Sequence, residues 1–131
     1  MTDAFVSLLN QETGRIVNVG SGAGPMVVVK MTEEEQKFLI SKENTWEQLI
    51  EFMDKKMPSM EGIDSYCLTK AVLHNYTQIA ARENPKILIS AISPGFIDTA
   101  LVAGYGAKLT PEEGTVSIRH CTRNRKTNTE E

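Results

Sequence analysis

The sequence predicts an α/β fold built on a parallel sheet, on three observations. Residues 15–19 (RIVNV) and 86–92 (KILISAI) are short, apolar, β-branched runs of the kind that form buried strands. Between them, residues 65–82 place Leu68, Val72, Tyr76 and Ile79 along one face of a long helix. Strand, helix, strand is also the order that parallel pairing demands, because two parallel strands need a crossover of about a dozen residues or more.

The remaining elements follow from local chemistry. In residues 3–10, Phe5, Leu8 and Leu9 fall at helical spacing, and Gly14 can stop that helix. Gly20 to Gly24 form the loop that leaves the first strand, and 25–29 (PMVVV) read as extended chain. Two amphipathic helices fill 32–57, each opened by a capping box, Thr32 with Glu35 and Thr45 with Gln48. Trp46, Leu49, Ile50 and Met53 then make an i, i+3, i+4, i+7 stripe expected to be buried. Pro58 and Gly62 end this region, Asn84 and Pro85 stop the long helix, and Ser93, Pro94 and Gly95 break the second strand. Thr110, Pro111, Glu112 and Glu113 start a late helix, with proline at its first position and a glutamate placed to close a third capping box. From Arg119 the chain is polar without apolar periodicity, so 119–131 are expected to be a frayed tail.

Composition narrows the class. A chain of 131 residues, 40% hydrophobic and 24% charged, suits one globular domain. Its net charge of −3 offers no broad positive field, and the basic cluster Arg119, Arg123, Arg125 and Lys126 is followed by Glu130 and Glu131, so no nucleic-acid partner is expected. Cys67 and Cys121 have no metal-ligand spacing and are too few for a disulfide framework, which fits a reducing cytoplasm. The sequence holds no apolar run of about 18 residues, and its N-terminus lacks the pattern of a signal peptide; no membrane association is expected.

Several residues could carry chemistry. Tyr66 and Lys70 stand four apart on the long helix, so their side chains can meet, and an ammonium beside a phenol eases the release of its proton. Ser21 lies just past the first strand, where loops of α/β sheets gather ligands, and its hydroxyl could stabilise charge developing on a substrate oxygen. Each of these alone has a plainer explanation, as a solvated pair or a turn residue. Gly20, Gly22 and Gly24 miss the G-x-G-x-x-G spacing of a phosphate loop and read better as a flexible turn. His74 and His120 have no partner at ligand spacing, and neither is assigned a role.

In combination these segments are far more specific. GRIVNVGSGAG at 14–24, SYCLTKA at 65–71 and ISPGFIDTAL at 92–101 resemble, in order and separation, three signatures of the short-chain dehydrogenase/reductase family. The resemblance covers about 3–118 and includes LTPEEG at 109–114, similar to a segment of its carbonyl-reductase members. It implies the C-terminal part of a Rossmann-type doubly wound parallel sheet, incomplete at the N-terminal half. It also implies NAD(P)-dependent reduction of a ketone or aldehyde. On that basis Ser21 matches the serine that orients the carbonyl, Tyr66 the proton donor, and Lys70 the lysine that assists Tyr66 and contacts the nicotinamide ribose. Pro94, Gly95, Ile97 and Thr99 match the turn that holds the nicotinamide. Residues 30–60 resemble the helical insertion of monomeric, NADPH-dependent carbonyl reductases, which favours NADP(H) over NAD(H) and a monomer.

The departures from the family pattern are also specific. Nothing in the sequence matches the family's opening strand and Thr-Gly-x-x-x-Gly-x-Gly loop, whose amides hold a pyrophosphate, and the asparagine of the family's catalytic tetrad has no counterpart. The chain is therefore expected to be a truncated form. A second expectation stands beside reduction: a non-catalytic binding protein, a half-fold that pairs with another chain, or with itself, through an uncovered sheet edge. Phe96 and Tyr105 are candidates for the wall of a carbonyl pocket, or simply packing mass.

Overall fold

The computed structural model describes residues 2–123. Helix α1 (Thr2–Val6) leads to strand β1 (Arg15–Val19), followed by helices α2 (Ala23–Val28), α3 (Glu33–Ile40), α4 (Trp46–Lys56) and α5 (Ile63–Glu83). Strand β2 (Leu88–Ile92) and two short helices, α6 (Pro111–Gly114) and α7 (Val116–Thr122), complete the described chain. The expected parallel pairing is present: β1 runs alongside β2 in register from Arg15 opposite Leu88 to Val19 opposite Ile92. The 21-residue α5 is the crossover between them.

The core lies between α5 and the helices that precede it. Leu49, Leu68, Val27, Val72, Cys67 and Ile79 are buried together there. Burying side chains of this size stabilises the fold by about 1.5–3 kcal/mol each. Beneath the sheet, Ala80, Ile87 and Ile89 pack with Ile16, Leu9 and Val6. Ring contacts join the middle helices, with Phe38 on α3 stacked on Phe52 of α4 at 4.9 Å and Trp46 edge-on to Tyr76 at 5.0 Å.

All three anticipated capping boxes form, at Thr32 with Glu35, Thr45 with Gln48 and Thr110 with Glu113. Three expectations need correction. Residues 25–29 are not extended, since 23–28 form α2. Pro25 is tolerated there because the first-turn amides of a helix have no intrahelical partner to lose. Packing decides the conformation: Val27 is 2% exposed, and Gly24 lies directly on the backbone of Lys70 and Ala71. The stripe on α4 is only partly buried, with Leu49 fully inside while Trp46 and Ile50 are 39% and 40% exposed. Finally, the chain is not frayed from Arg119, because 119–122 close α7. The rest of the expected tail, residues 124–131, lies outside the described residues.

Candidate functional site

The site residues gather where β1 and β2 end. Gly20 N–H donates to Ile92 O at 2.7 Å, extending the strand pairing one residue beyond β1. Ser21 comes next, and its Oγ accepts from the Ala23 amide at 3.1 Å at the start of α2. Gly22 N–H donates to Ser93 Oγ at 3.1 Å, so the loop leaving β1 is tied to the loop leaving β2. In the sequence Ser93 reads only as a residue that breaks the second strand; its bond to Gly22 depends on the parallel pairing that brings the two loops together.

Tyr66 and Lys70 lie in the first turns of α5. The Lys70 ammonium sits 5.7 Å from the centre of the Tyr66 ring and donates to Val19 O, the last carbonyl of β1, at 2.8 Å. This bond brings the Tyr66–Lys70 face of α5 to the strand end from which Ser21 follows. The Tyr66 side is open, its residue 45% exposed. Close approach of Gly24 to the Lys70–Ala71 backbone holds α2 against the same stretch of α5.

Pro94, Gly95, Ile97 and Thr99 follow β2. Gly95 adopts φ +86°, a backbone conformation that favours glycine, and residues 93–96 form neither a turn nor a bend. Ile97 then pairs with Leu109 in an isolated parallel bridge, with Asp98 N–H donating to Leu109 O at 2.8 Å. The Ile97 side chain lies against Gly114 of α6. Thr99 is exposed and precedes a short 3₁₀ turn, Ala100–Val102. Phe96 and Tyr105 are 49% and 79% exposed. Among the described residues no cluster of His, Cys, Asp or Glu could hold a metal ion, and no helix is long and apolar enough to cross a membrane. Cys67 and Cys121 are both free thiols.

Two contributors escaped the sequence reading. Asn75 and Asn44, both buried, fasten the α3–α4 connection to α5: Asn75 Nδ2 donates to Leu39 O and Ser41 O, and Asn44 Nδ2 donates to Asn75 Oδ1. A signal was available, because Asn75 occupies the i+7 position from Leu68 on the buried face of α5, where an amide needs buried partners. The second is His74, whose imidazole fills the space beside Gly20.

Parallel strands joined by a long helix, with the candidate side chains near the strands' C-terminal ends, form part of a doubly wound α/β protein. No family model matches the chain. It is 31% identical over 130 residues to (+)-neomenthol dehydrogenase of Arabidopsis thaliana, an alignment spanning 89% of this chain and 43% of that one. It is 31% identical to Short-chain dehydrogenase/reductase 1 of Saponaria officinalis, over 88% of this chain and 42% of that one. The solved structure of salutaridine reductase from Papaver somniferum superimposes with a TM-score of 0.74 at 24% identity, over 94% of this chain and 46% of that one. The chain is similar in sequence to short-chain dehydrogenase/reductases, shares their fold over the matched part, and spans about two-fifths of the length of the curated relatives it matches.

Proposed function

We propose that the chain carries the carbonyl-reducing site of an NADP(H)-dependent short-chain reductase, acting on a ketone or aldehyde through Ser21, Tyr66 and Lys70. The observation that supports this most is the Lys70–Val19 bond, which holds an ammonium and a solvent-facing phenol at the strand end where the Ser21 loop begins. The resident groups suit the nicotinamide end of such a cofactor. Lys70 uses one of its three donor directions on Val19 O, leaving others for a ribose hydroxyl, and the loop containing Pro94, Gly95, Ile97 and Thr99 is pinned nearby by Ser93 and Leu109. When bound, the nicotinamide supplies hydride to the carbonyl carbon. Tyr66 delivers the proton to the carbonyl oxygen, and the Lys70 ammonium stands 5.7 Å from the centre of its ring. The Ser21 hydroxyl donates a hydrogen bond to the same oxygen, stabilising its growing charge.

NADP(H) is favoured over NAD(H) by the likeness of 30–60 to the insertion of NADPH-dependent members, which also favours a monomer. A cytoplasmic setting without nucleic-acid or membrane partners is part of the same proposal, supported by the net charge of −3 and by two cysteines too few for a disulfide framework. The test joins this chain to the nucleotide-binding half of the Arabidopsis relative and compares it with its Tyr66→Phe variant. The expected result is NADPH binding in both and aldehyde reduction only with Tyr66. Comparable turnover in the variant overturns the assignment.

One observation favours a second role. A groove of about 630 Å³ opens beside β1, lined by Phe5, Ile16, Val17, Trp46, Val72 and Tyr76, where β1 has no strand partner among the described residues. It suits a polypeptide that adds a parallel strand to that edge and covers the apolar wall with a helix. Sedimentation of the chain with and without the same nucleotide-binding half supplied as a separate polypeptide tests this; absence of a complex refutes it.

A further inference from the structure

We infer that His74 is a positioning residue: its imidazole buttresses Gly20 and thereby sets where Ser21 presents its hydroxyl. Three contacts from α5 grip the segment around Ser21. Lys70 Nζ hydrogen-bonds Val19 O at 2.8 Å. One helical turn further along α5, His74 occupies the place a side chain at Gly20 would need: a Cβ there would run into the imidazole Nε2, lie 2.8 Å from its Cδ2 and 3.2 Å from Ile92 O. On the far side of Ser21, Gly24 meets the backbone of Lys70 and Ala71. Ser21 is thus the residue held between a clamp on Val19 and Gly20 and another on Gly24.

Geometry makes the His74 contact the adjustable part of this clamp. Gly20 is already fixed by its own N–H to Ile92 O at 2.7 Å, so it cannot approach β2 without a clash or leave it without breaking strand pairing. On the side that faces α5, His74 blocks its movement. The imidazole also borders a small cleft of about 250 Å³ lined by Pro25, Val28, Leu39, Ile40 and Gln78, so truncating it joins an open space rather than letting the core collapse around it. Removing the imidazole therefore frees Gly20 to shift by a fraction of an ångström, and the Ser21 Oγ moves with it. A hydroxyl that must meet a substrate oxygen at hydrogen-bond distance loses its purpose through a displacement of that size. This role rests on the proposal that Ser21 faces substrate; the coupling between His74 and Ser21 does not.

The test uses the chain as it is, labelled with nitrogen-15 and without cofactor, so it reads the coupling whether or not the carbonyl-reducing proposal holds. Amide exchange and Ser21 side-chain couplings are measured in His74→Ala, His74→Gln, Gly20→Ala and the double variant Gly20→Ala/His74→Ala. In His74→Ala the Gly22 and Ala23 amides should exchange about fivefold faster or more, and Ser21 should average over rotamers, while the amides of α4 keep their rates. His74→Gln, which refills the space, should return Ser21 toward a single rotamer. Gly20→Ala alone should disturb the loop or fail to fold, and His74→Ala should rescue it. Two outcomes overturn the inference: acceleration in proportion across α4 and the loop alike, which marks a general loss of stability, or strictly additive effects of the Gly20 and His74 changes.

Discussion

The Asn44 side-chain amide donates to the Asn75 carbonyl oxygen at 3.2 Å inside the protein, joining the α3–α4 connection to the middle of α5. Around this contact, Asn44 also reaches Phe38 O at 2.7 Å, and Arg82 donates to Asn44 O at 2.8 Å and to Lys42 O. The segment between the Ser21 loop and Tyr66 is therefore fastened to the helix that bears Tyr66 by polar bonds as well as by apolar packing. Buried amides can do this because each unpaired donor or acceptor is costly, so one arrangement is strongly preferred.

Replacing Asn75 should expose that cost. Asn75→Leu keeps the branched outline but leaves Leu39 O and Ser41 O without their donor, so the expected loss is about 2–4 kcal/mol in urea unfolding. Retention of full stability would mean that water or a neighbour takes over those carbonyls.

Gly24 gives a prediction in which two effects compete. Alanine has the better helix propensity by about 1 kcal/mol, which favours Gly24→Ala. Against it, a Cβ at this position would stand 3.0 Å from Ala71 N, 3.2 Å from Ala71 Cα and 3.2 Å from Lys70 C, all backbone atoms that cannot rotate away. The clash should win, with a net loss of about 1–3 kcal/mol that is larger for Gly24→Val than for Gly24→Ala. Thermal unfolding of the two variants reads both sign and order.

These sites show what was legible in the sequence. The strands, α5 and the capping boxes were readable because each depends on neighbours in sequence: β-branched runs, a helical apolar face, a hydroxyl three residues from a glutamate or glutamine. Parallel pairing followed from the crossover length. By contrast, α2 was misread because PMVVV has strand-like side chains, and only the close packing of Gly24 and Val27 on α5 makes it helical. Tyr66, Lys70 and Ser21 could be named from their segments, yet the Lys70–Val19 and Ser93–Gly22 bonds that gather them join residues far apart in the chain. The Asn75 amide was overlooked because Tyr76 beside it offered a more apolar continuation of the stripe.

Stability should also depend on acid through Glu35. The Lys56 ammonium bonds Glu35 Oε1 at 2.7 Å, and the Thr32 amide donates to the same carboxylate, so the folded protein holds this group below the usual carboxylate range. A depressed folded pKa means that the stabilisation is fully present above the unfolded value of about 4.3 and is lost as pH falls through the folded one. Glu35→Gln keeps the capping box but removes the charge. At pH 7 it should cost about 0.5–1 kcal/mol, shrinking in high salt, and the gap to the parent chain should close in strongly acidic solution. A gap that is independent of pH would show that the ion pair contributes nothing.

Lys70 and Tyr66 should separate structure from chemistry. Lys70→Met removes the donor to Val19 O and with it the tie between α5 and the end of β1, so about 1 kcal/mol of stability should go, moderated because water can reach that carbonyl. Tyr66→Phe deletes only a hydroxyl from a residue that is 45% exposed, so unfolding should change by less than about 0.5 kcal/mol. The proposed reaction reverses the order of importance: the phenol is the proton donor, so Tyr66→Phe should abolish reduction in a chain completed with a nucleotide-binding half while the fold is untouched. Urea unfolding of both variants, set beside turnover in the completed chain, checks the pair. Equal losses of stability, or activity surviving without the Tyr66 hydroxyl, would contradict the division of labour derived from the Lys70–Val19 bond.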